Sequence, residues 1–178
     1  CCSFSRYFFF TKLQGESKTG KKGIARHKID LFLIQFLSLA IVFIAPYSDS
    51  HSIRTVAHGT WLRYPGLILV ALGFILMQLA ERYLDRQFSI EVTVQENHKL
   101  VTNGPYKYIR HPRYLGIAVF FLGISFVFQS LFAMAVTVAL SMVLVWRIGV
   151  EERLMQQEFG QEWDEYRSKS WRVIPFLF

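Results

Sequence analysis

Four runs of apolar residues, set between blocks of charge, decide what this chain of 178 residues can fold into. Leu31–Pro46 has only Gln35 and Ser38 as polar interruptions, and Gly66–Ala80 has only Gln78. Leu115–Phe128 and Leu131–Trp146 are separated by Gln129 and Ser130, a two-residue break. At helical rise such runs reach roughly 21–24 Å, short of the ~30 Å hydrocarbon core of a bilayer. Tyr64, Tyr83, Tyr114 and Trp146 flank them as interfacial anchors that complete the spans. A soluble bundle that buried all four runs would have almost nothing left to cover them. The expected fold is therefore all-α, a multi-pass transmembrane helical bundle of about four spans, with a cytoplasmic cofactor-binding loop and a C-terminal helical tail.

The charges lie between the runs, and their sign sets an expected topology. Within residues 1–28, Arg6, Lys12, Lys18, Lys21, Lys22, Arg26 and Lys28 oppose one acid, Glu16. Between the first two runs stand only Arg54 and Arg63 against Asp49. Residues 81–113 and the tail from Arg147 are again rich in Lys and Arg. Basic residues are retained on the cytoplasmic side. The N-terminus, the 81–113 segment and the C-terminus are thus expected together at the cytoplasmic face, in an integral membrane protein surrounded by membrane lipid. Topology absorbs the net charge of +7, so no nucleic-acid partner is expected. With two Cys and five scattered His, neither a disulfide framework nor a metal site is indicated. The chain divides into a basic N-terminal segment (1–28, with 18–28 read as a linker), a first helix pair (29–87) and a C-terminal region (88–178).

Residues 98–116, HKLVTNGPYKYIRHPRYLG, hold the densest set of functional side chains. Asn103-Gly104-Pro105 is a strong turn signal. Pro112 suits the first position of a helix, where its fixed φ and missing N–H cost nothing, which makes His111 the cap. A helix start also offers free N–H groups to an anionic group. His111 reads either as such a ligand-facing residue or as a plain interfacial cap, and His98 alone reads as a loop histidine. At the other end of the third and fourth runs, Arg147 and Glu151 are i and i+4, so they share a face if the helix continues past Trp146. A surface pair there would be worth a few tenths of a kcal/mol, but charges at a membrane boundary are costly and often functional. Leu154, Phe159, Trp163, Tyr166 and Trp171 follow with the spacing of an interfacial helix, and Pro175 ends it.

Taken as an ordered set, His98, Leu100, Val101, Gly104, Tyr106, Arg110, His111, Pro112, Tyr114 and Gly116, then a helical hairpin, then Arg147, Glu151, Glu152, Phe159 and Gly160, with Tyr166 and Pro175 last, resemble the isoprenylcysteine carboxyl methyltransferase family of integral-membrane methyltransferases, relatives of the phospholipid methyltransferases. The likeness covers roughly residues 88–178. It implies S-adenosyl-L-methionine as methyl donor, held by His98, Lys99, Leu100, Val101, Tyr106, His111, Pro112, Arg113, Tyr114 and Glu151. It also implies Arg147 as the residue that orients the substrate, with Arg147 and Glu151 carrying catalysis. The implied substrate is a lipophilic small molecule or a prenylated cysteine bearing a carboxylate. Methylation of a phospholipid amine or a small thiol, NADPH-dependent reduction of the sterol-reductase type, and a nonenzymatic membrane scaffold stay open beside it. No Gly-x-Gly-x-x-Gly fingerprint is present, so a donor nucleoside would be held by the loop and the fourth helix rather than by a Rossmann turn.

Overall fold

The computed structural model describes residues 21–51, 53, 60–85 and 100–175. The described residues form five α-helices: α1 (Lys21–Ser50), α2 (Arg63–Asp85), α3 (Pro112–Val127), α4 (Leu131–Phe159) and α5 (Gln161–Lys169), with a 3₁₀ turn at Gly104–Lys107 before α3. Three helical segments, Ile29–Ser50, Arg63–Leu84 and Leu131–Phe159, are long and apolar enough to cross a membrane. The third apolar run forms a shorter helix of 16 residues, which its neighbours on both sides carry.

Helix α1 starts at Lys21, so the stretch expected to be a basic linker is helical from that point. The helix runs on through Pro46 to Ser50. Its buried residues Ile41 and Ala45 meet Ala133, Leu140 and Leu144 of α4, and Ile117, Phe121 and Ile124 of α3 close around them. Phe32, Phe36, Phe43, Ile68, Leu72 and Phe74 point outward from α1 and α2. Large apolar side chains turned away from a small core are what lipid, rather than water, accommodates.

The seam between α2 and α3 is built on glycine. Gly66 lies against Gly123 and Gly73 against Gly116, two matched pairs seven residues apart on antiparallel helices. A Cβ added at Gly73 would stand 2.5 Å from the Phe120 amide nitrogen and 2.8 Å from the Gly116 carbonyl oxygen. One added at Gly123 would stand 2.6 Å from the Val70 nitrogen. The two backbones touch, a contact only small residues permit, and in lipid it supplies the attraction that the hydrophobic effect does not.

The hairpin between α3 and α4 turns at Gln129, whose φ of 51° is left-handed, and at Ser130, whose hydroxyl accepts from the Ala133 amide at 3.1 Å to cap α4. Inside the hairpin the Ser125 and Thr137 hydroxyls are 3.0 Å apart, and Ser125 Oγ donates to the Phe121 carbonyl at 2.9 Å. These buried hydroxyls satisfy one another and join α3 to α4 at depth. The first turn of α3 and the far end of α4 thereby lie side by side.

Candidate active site

His111 caps α3 and Pro112 opens it, as the sequence requires, and both are buried. The cap works through the backbone: the Leu115 amide donates to the His111 carbonyl at 3.2 Å, and the imidazole makes no cap hydrogen bond. The ring instead lies over Tyr114, centroids 5.8 Å apart, and faces α4. Helix α4 does not stop at Trp146 but continues to Phe159, so Arg147, Glu151 and Glu152 project from regular helix beside α3.

Three side chains form a closed triangle there. Tyr114 Oη donates to Glu151 Oε1 at 2.5 Å and accepts from Arg147 Nε at 2.7 Å, and Arg147 Nε also reaches Glu151 Oε1 at 3.0 Å. Arg147 is buried, so the surface-pair alternative does not apply. Its guanidinium is gripped by Nε while Nη1 is buried without a partner. His111 Nε2 is likewise buried and unpartnered; Glu152 Oε1 stands 3.5 Å away, and Nδ1 lies 3.9 Å from Glu151 Oε2. A buried donor without an acceptor costs free energy of about 1–3 kcal/mol, which a polar ligand would recover.

The loop comes to the same place. Gly104, at φ +61°, starts the 3₁₀ turn directly against the Tyr83 ring, where any Cβ would collide. The turn brings Tyr106 near Glu151: burial pushes its phenol up to about 12, Glu151 and Glu81 add to the rise, and Arg113 opposes it. Tyr106 thus stays neutral at physiological pH and can act only as a neutral hydrogen-bonding or stacking group. Val101 is buried ahead of the turn, Leu100 is partly buried, and Arg113 is exposed. Tyr106, His111, Pro112, Tyr114, Arg147 and Glu151 are therefore assembled around one spot. His98 and Lys99 lie outside the described residues.

The set fits a sulfonium nucleoside by its chemistry. Such a ligand needs a carboxylate for its cationic end, aromatic faces, and ring or backbone polar groups for its base. Glu151 keeps 26% of its side chain open while Glu152 next to it keeps 7%, so one carboxylate is presented and the other sealed. Among the described residues no group of three or more His, Cys, Asp or Glu could hold a metal ion.

Residues 61–162 match the phospholipid methyltransferase family. The chain belongs to that family. Within it, this phospholipid methyltransferase family member is similar to "Protein-S-isoprenylcysteine O-methyltransferase A" of Arabidopsis thaliana, 32% identical over 83% of this chain and 71% of that protein. It is also similar to the B protein of the same plant, 29% identical over 97% of this chain and 87% of that one, and to a "Probable protein-S-isoprenylcysteine O-methyltransferase" of Oryza sativa subsp. indica, 32% identical over 66% and 63%. The solved "eukaryotic intramembrane Ras methyltransferase" isoprenylcysteine carboxyl methyltransferase aligns with TM-score 0.64 and 26% identity, over 80% of this chain and 52% of that one. The chain thus spans less than two thirds of the rice relative and about half of the solved structure. It is an isoprenylcysteine carboxyl methyltransferase-like membrane protein.

Behind the triangle lie contacts to which the sequence motifs assign no role. Arg110 and Arg172 both pair with Glu152, and Tyr166 Oη donates to the Tyr106 carbonyl at 2.7 Å. Burial pushes the Tyr166 phenol up to about 12, against the opposing charge of Arg110. The single interfacial tail helix expected for residues 154–171 is broken: Gly160, at φ 50°, ends α4 and lets α5 turn back over the loop, with Trp163 buried. No local pattern in the sequence marks these contacts, because Arg110 and Arg172 lie far apart along the chain and meet Glu152 only in the fold.

Proposed function

We propose that this chain is an S-adenosyl-L-methionine-dependent O-methyltransferase that esterifies the carboxylate of an isoprenylcysteine-like lipophilic substrate at the cytoplasmic face of a membrane, with both termini on that side. The observation that carries the reading is the buried, unpartnered Nη1 of Arg147, fixed by Nε to Tyr114 and Glu151. A guanidinium immobilised at one edge and unsatisfied at another is prepared to receive an anionic planar group.

The bound donor would supply an electrophilic methyl group, so the protein's part is placement. Glu151, Tyr106, His111, Tyr114 and the backbone around Pro112 would hold the donor. Arg147 would orient the substrate carboxylate, which is ionised at neutral pH and needs no general base. Tyr114 Oη bonds to both members of the Arg147–Glu151 pair and so fixes the guanidinium at its Nε edge, with Nη1 left over. An apolar groove of about 680 Å³ runs between α3 and α4, lined by Leu115, Val119, Leu122, Met142, Trp146 and Ile174. Trp146 in its lining is the sequence neighbour of Arg147, and the groove would seat a lipid chain whose polar head reaches the guanidinium. Alignment and exclusion of water supply the acceleration in such a site.

An amine acceptor would have to lose a proton first. The carboxylates at hand are engaged by Arg147, Arg110 and Arg172, which favours a carboxylate acceptor. Titration calorimetry with S-adenosylhomocysteine, the donor product, tests the division of roles. Glu151→Gln should weaken binding, whereas Arg147→Ala should bind it nearly as the wild type does while losing turnover. Unchanged affinity in Glu151→Gln would contradict the assignment.

A further inference from the structure

We propose that Glu152 is a positioning residue for the donor site: its carboxylate latches the C-terminal segment onto the 104–111 loop and so fixes the ring of His111. The proposal rests on the reading above that this loop takes the donor. Glu152 is buried, and its two oxygens serve different partners. Oε1 accepts from Arg110 Nε at 2.9 Å, and Oε2 accepts from Arg172 Nε at 2.8 Å with Arg172 Nη2 at 2.6 Å. Oε1 is also the group nearest the unpartnered His111 Nε2, at 3.5 Å.

Arg110 extends the latch. Its Nη1 donates to the carbonyl of Arg167 at 3.1 Å and to the carbonyl of Ser170. The backbones then zip together: Trp171 N donates to Tyr108 O at 2.8 Å, Arg110 N to Trp171 O at 2.8 Å, and His111 N to Arg172 O at 3.2 Å. The loop and the tail thus have one buried anion in common, and the residue at their junction is the capping histidine. Glu151 and Glu152 are successive on α4, a rotation of about 100° apart. That step sends one carboxylate to Arg147 and Tyr114 and the other to the tail, with the imidazole between them. His111 is tied to the latch by its backbone amide, which donates to the Arg172 carbonyl, and its ring stands 3.5 Å from Glu152 Oε1. Partners that orient a ligand-holding histidine act in this indirect way at other sites too.

The experiment is donor-product affinity in the full chain, measured by titration calorimetry with S-adenosylhomocysteine, alongside thermal melting. Glu152→Gln removes the charge at constant size, and Arg172→Gln removes one arm at a partly exposed position. Asp49→Asn breaks the Arg63 pair on the opposite end of α1 and serves as control. Glu152→Gln is expected to bind about tenfold more weakly, Arg172→Gln several-fold more weakly, and the double variant no more weakly than Glu152→Gln alone, since both act through one latch. A structural role would lower the melting temperature and leave the affinity of the folded protein unchanged. If Glu152→Gln does not fold, Arg172→Gln decides alone. Affinity within twofold of wild type in a folded variant overturns the latch and leaves the donor reading intact. Failure of the wild type to bind overturns the donor reading and the latch with it.

Discussion

The seam between α2 and α3 and the polar end of α4 sit at neighbouring places in the bundle and are held by opposite means. Along the seam, paired glycines bring backbone onto backbone. At the end of α4, Arg110, Arg147 and Arg172 meet Glu151 and Glu152 through fitted side-chain geometry. The difference follows from the surroundings. Lipid offers no hydrophobic drive for helices to associate, so close van der Waals contact must do it. Near the interface, burial of charge is tolerated only when each group is paired. A seam made of backbone is rigid and insensitive to ligand, whereas a site made of paired charges can exchange one partner for another. The first seam holds α3 in place, and the second uses that placement.

Substitutions that strike one region and spare the other sharpen this contrast. The largest effect should come from Gly73→Leu, whose side chain must displace the backbone of α3 at Phe120; loss of the folded, monodisperse protein in detergent is expected, from overpacking of about 3 kcal/mol or more. Arg147→Ala should leave the melting temperature within a few degrees yet cut turnover by roughly 10²–10³, the usual range for loss of one preorganised charged donor. Tyr114→Phe removes the hydroxyl that bonds to both Arg147 and Glu151. Steady-state kinetics should show a loss of about tenfold, in line with about 1–2 kcal/mol for a buried hydrogen-bonding group. Ser125→Ala, deep in the α3–α4 hairpin, should cost only about 0.6 kcal/mol in reversible unfolding, the mean found for hydrogen bonds between membrane helices. An effect of comparable size has the opposite sign. Nothing lies within 4 Å of a Cβ at Gly149, so Gly149→Ala should raise the melting point slightly, by about 0.5–1 kcal/mol of helix propensity. A Gly73→Leu protein as stable as Gly149→Ala would break the comparison.

The two regions were also unequally legible in the sequence. The apolar runs, the Gln129–Ser130 turn, the His111 cap and Pro112 start, and the shared face of Arg147 and Glu151 all follow from local rules, because helix period and proline chemistry act within a few residues. The glycine seam was not read, although Gly66 and Gly73, and Gly116 and Gly123, repeat at seven residues. A glycine's partner is a backbone elsewhere, and no local pattern names it. The Glu152 latch escaped for the same reason: Arg110 and Arg172 are separated by 62 positions and meet only because Gly160 turns α5 back. Polarity changes before the helix does at two ends: α1 already starts at Lys21, inside the stretch expected to be a linker, and α4 carries the charged residues past Trp146 on regular helix, which gives Arg147 and Glu151 their shared face.

On the proposed function, Arg147 and Glu151, brought against the His111 loop, join a methyl donor to a lipid-borne carboxylate. Transfer of radiolabelled methyl from S-adenosyl-L-methionine, run in parallel on a farnesylated cysteine with a free carboxylate, the same compound as its amide, a phospholipid amine and a small thiol, measures it most directly. Label should enter the free-carboxylate compound alone, as a base-labile ester, and should vanish with Arg147→Ala. Label in the phospholipid or thiol with none in the prenylated cysteine, or equal labelling of the amide, would contradict it.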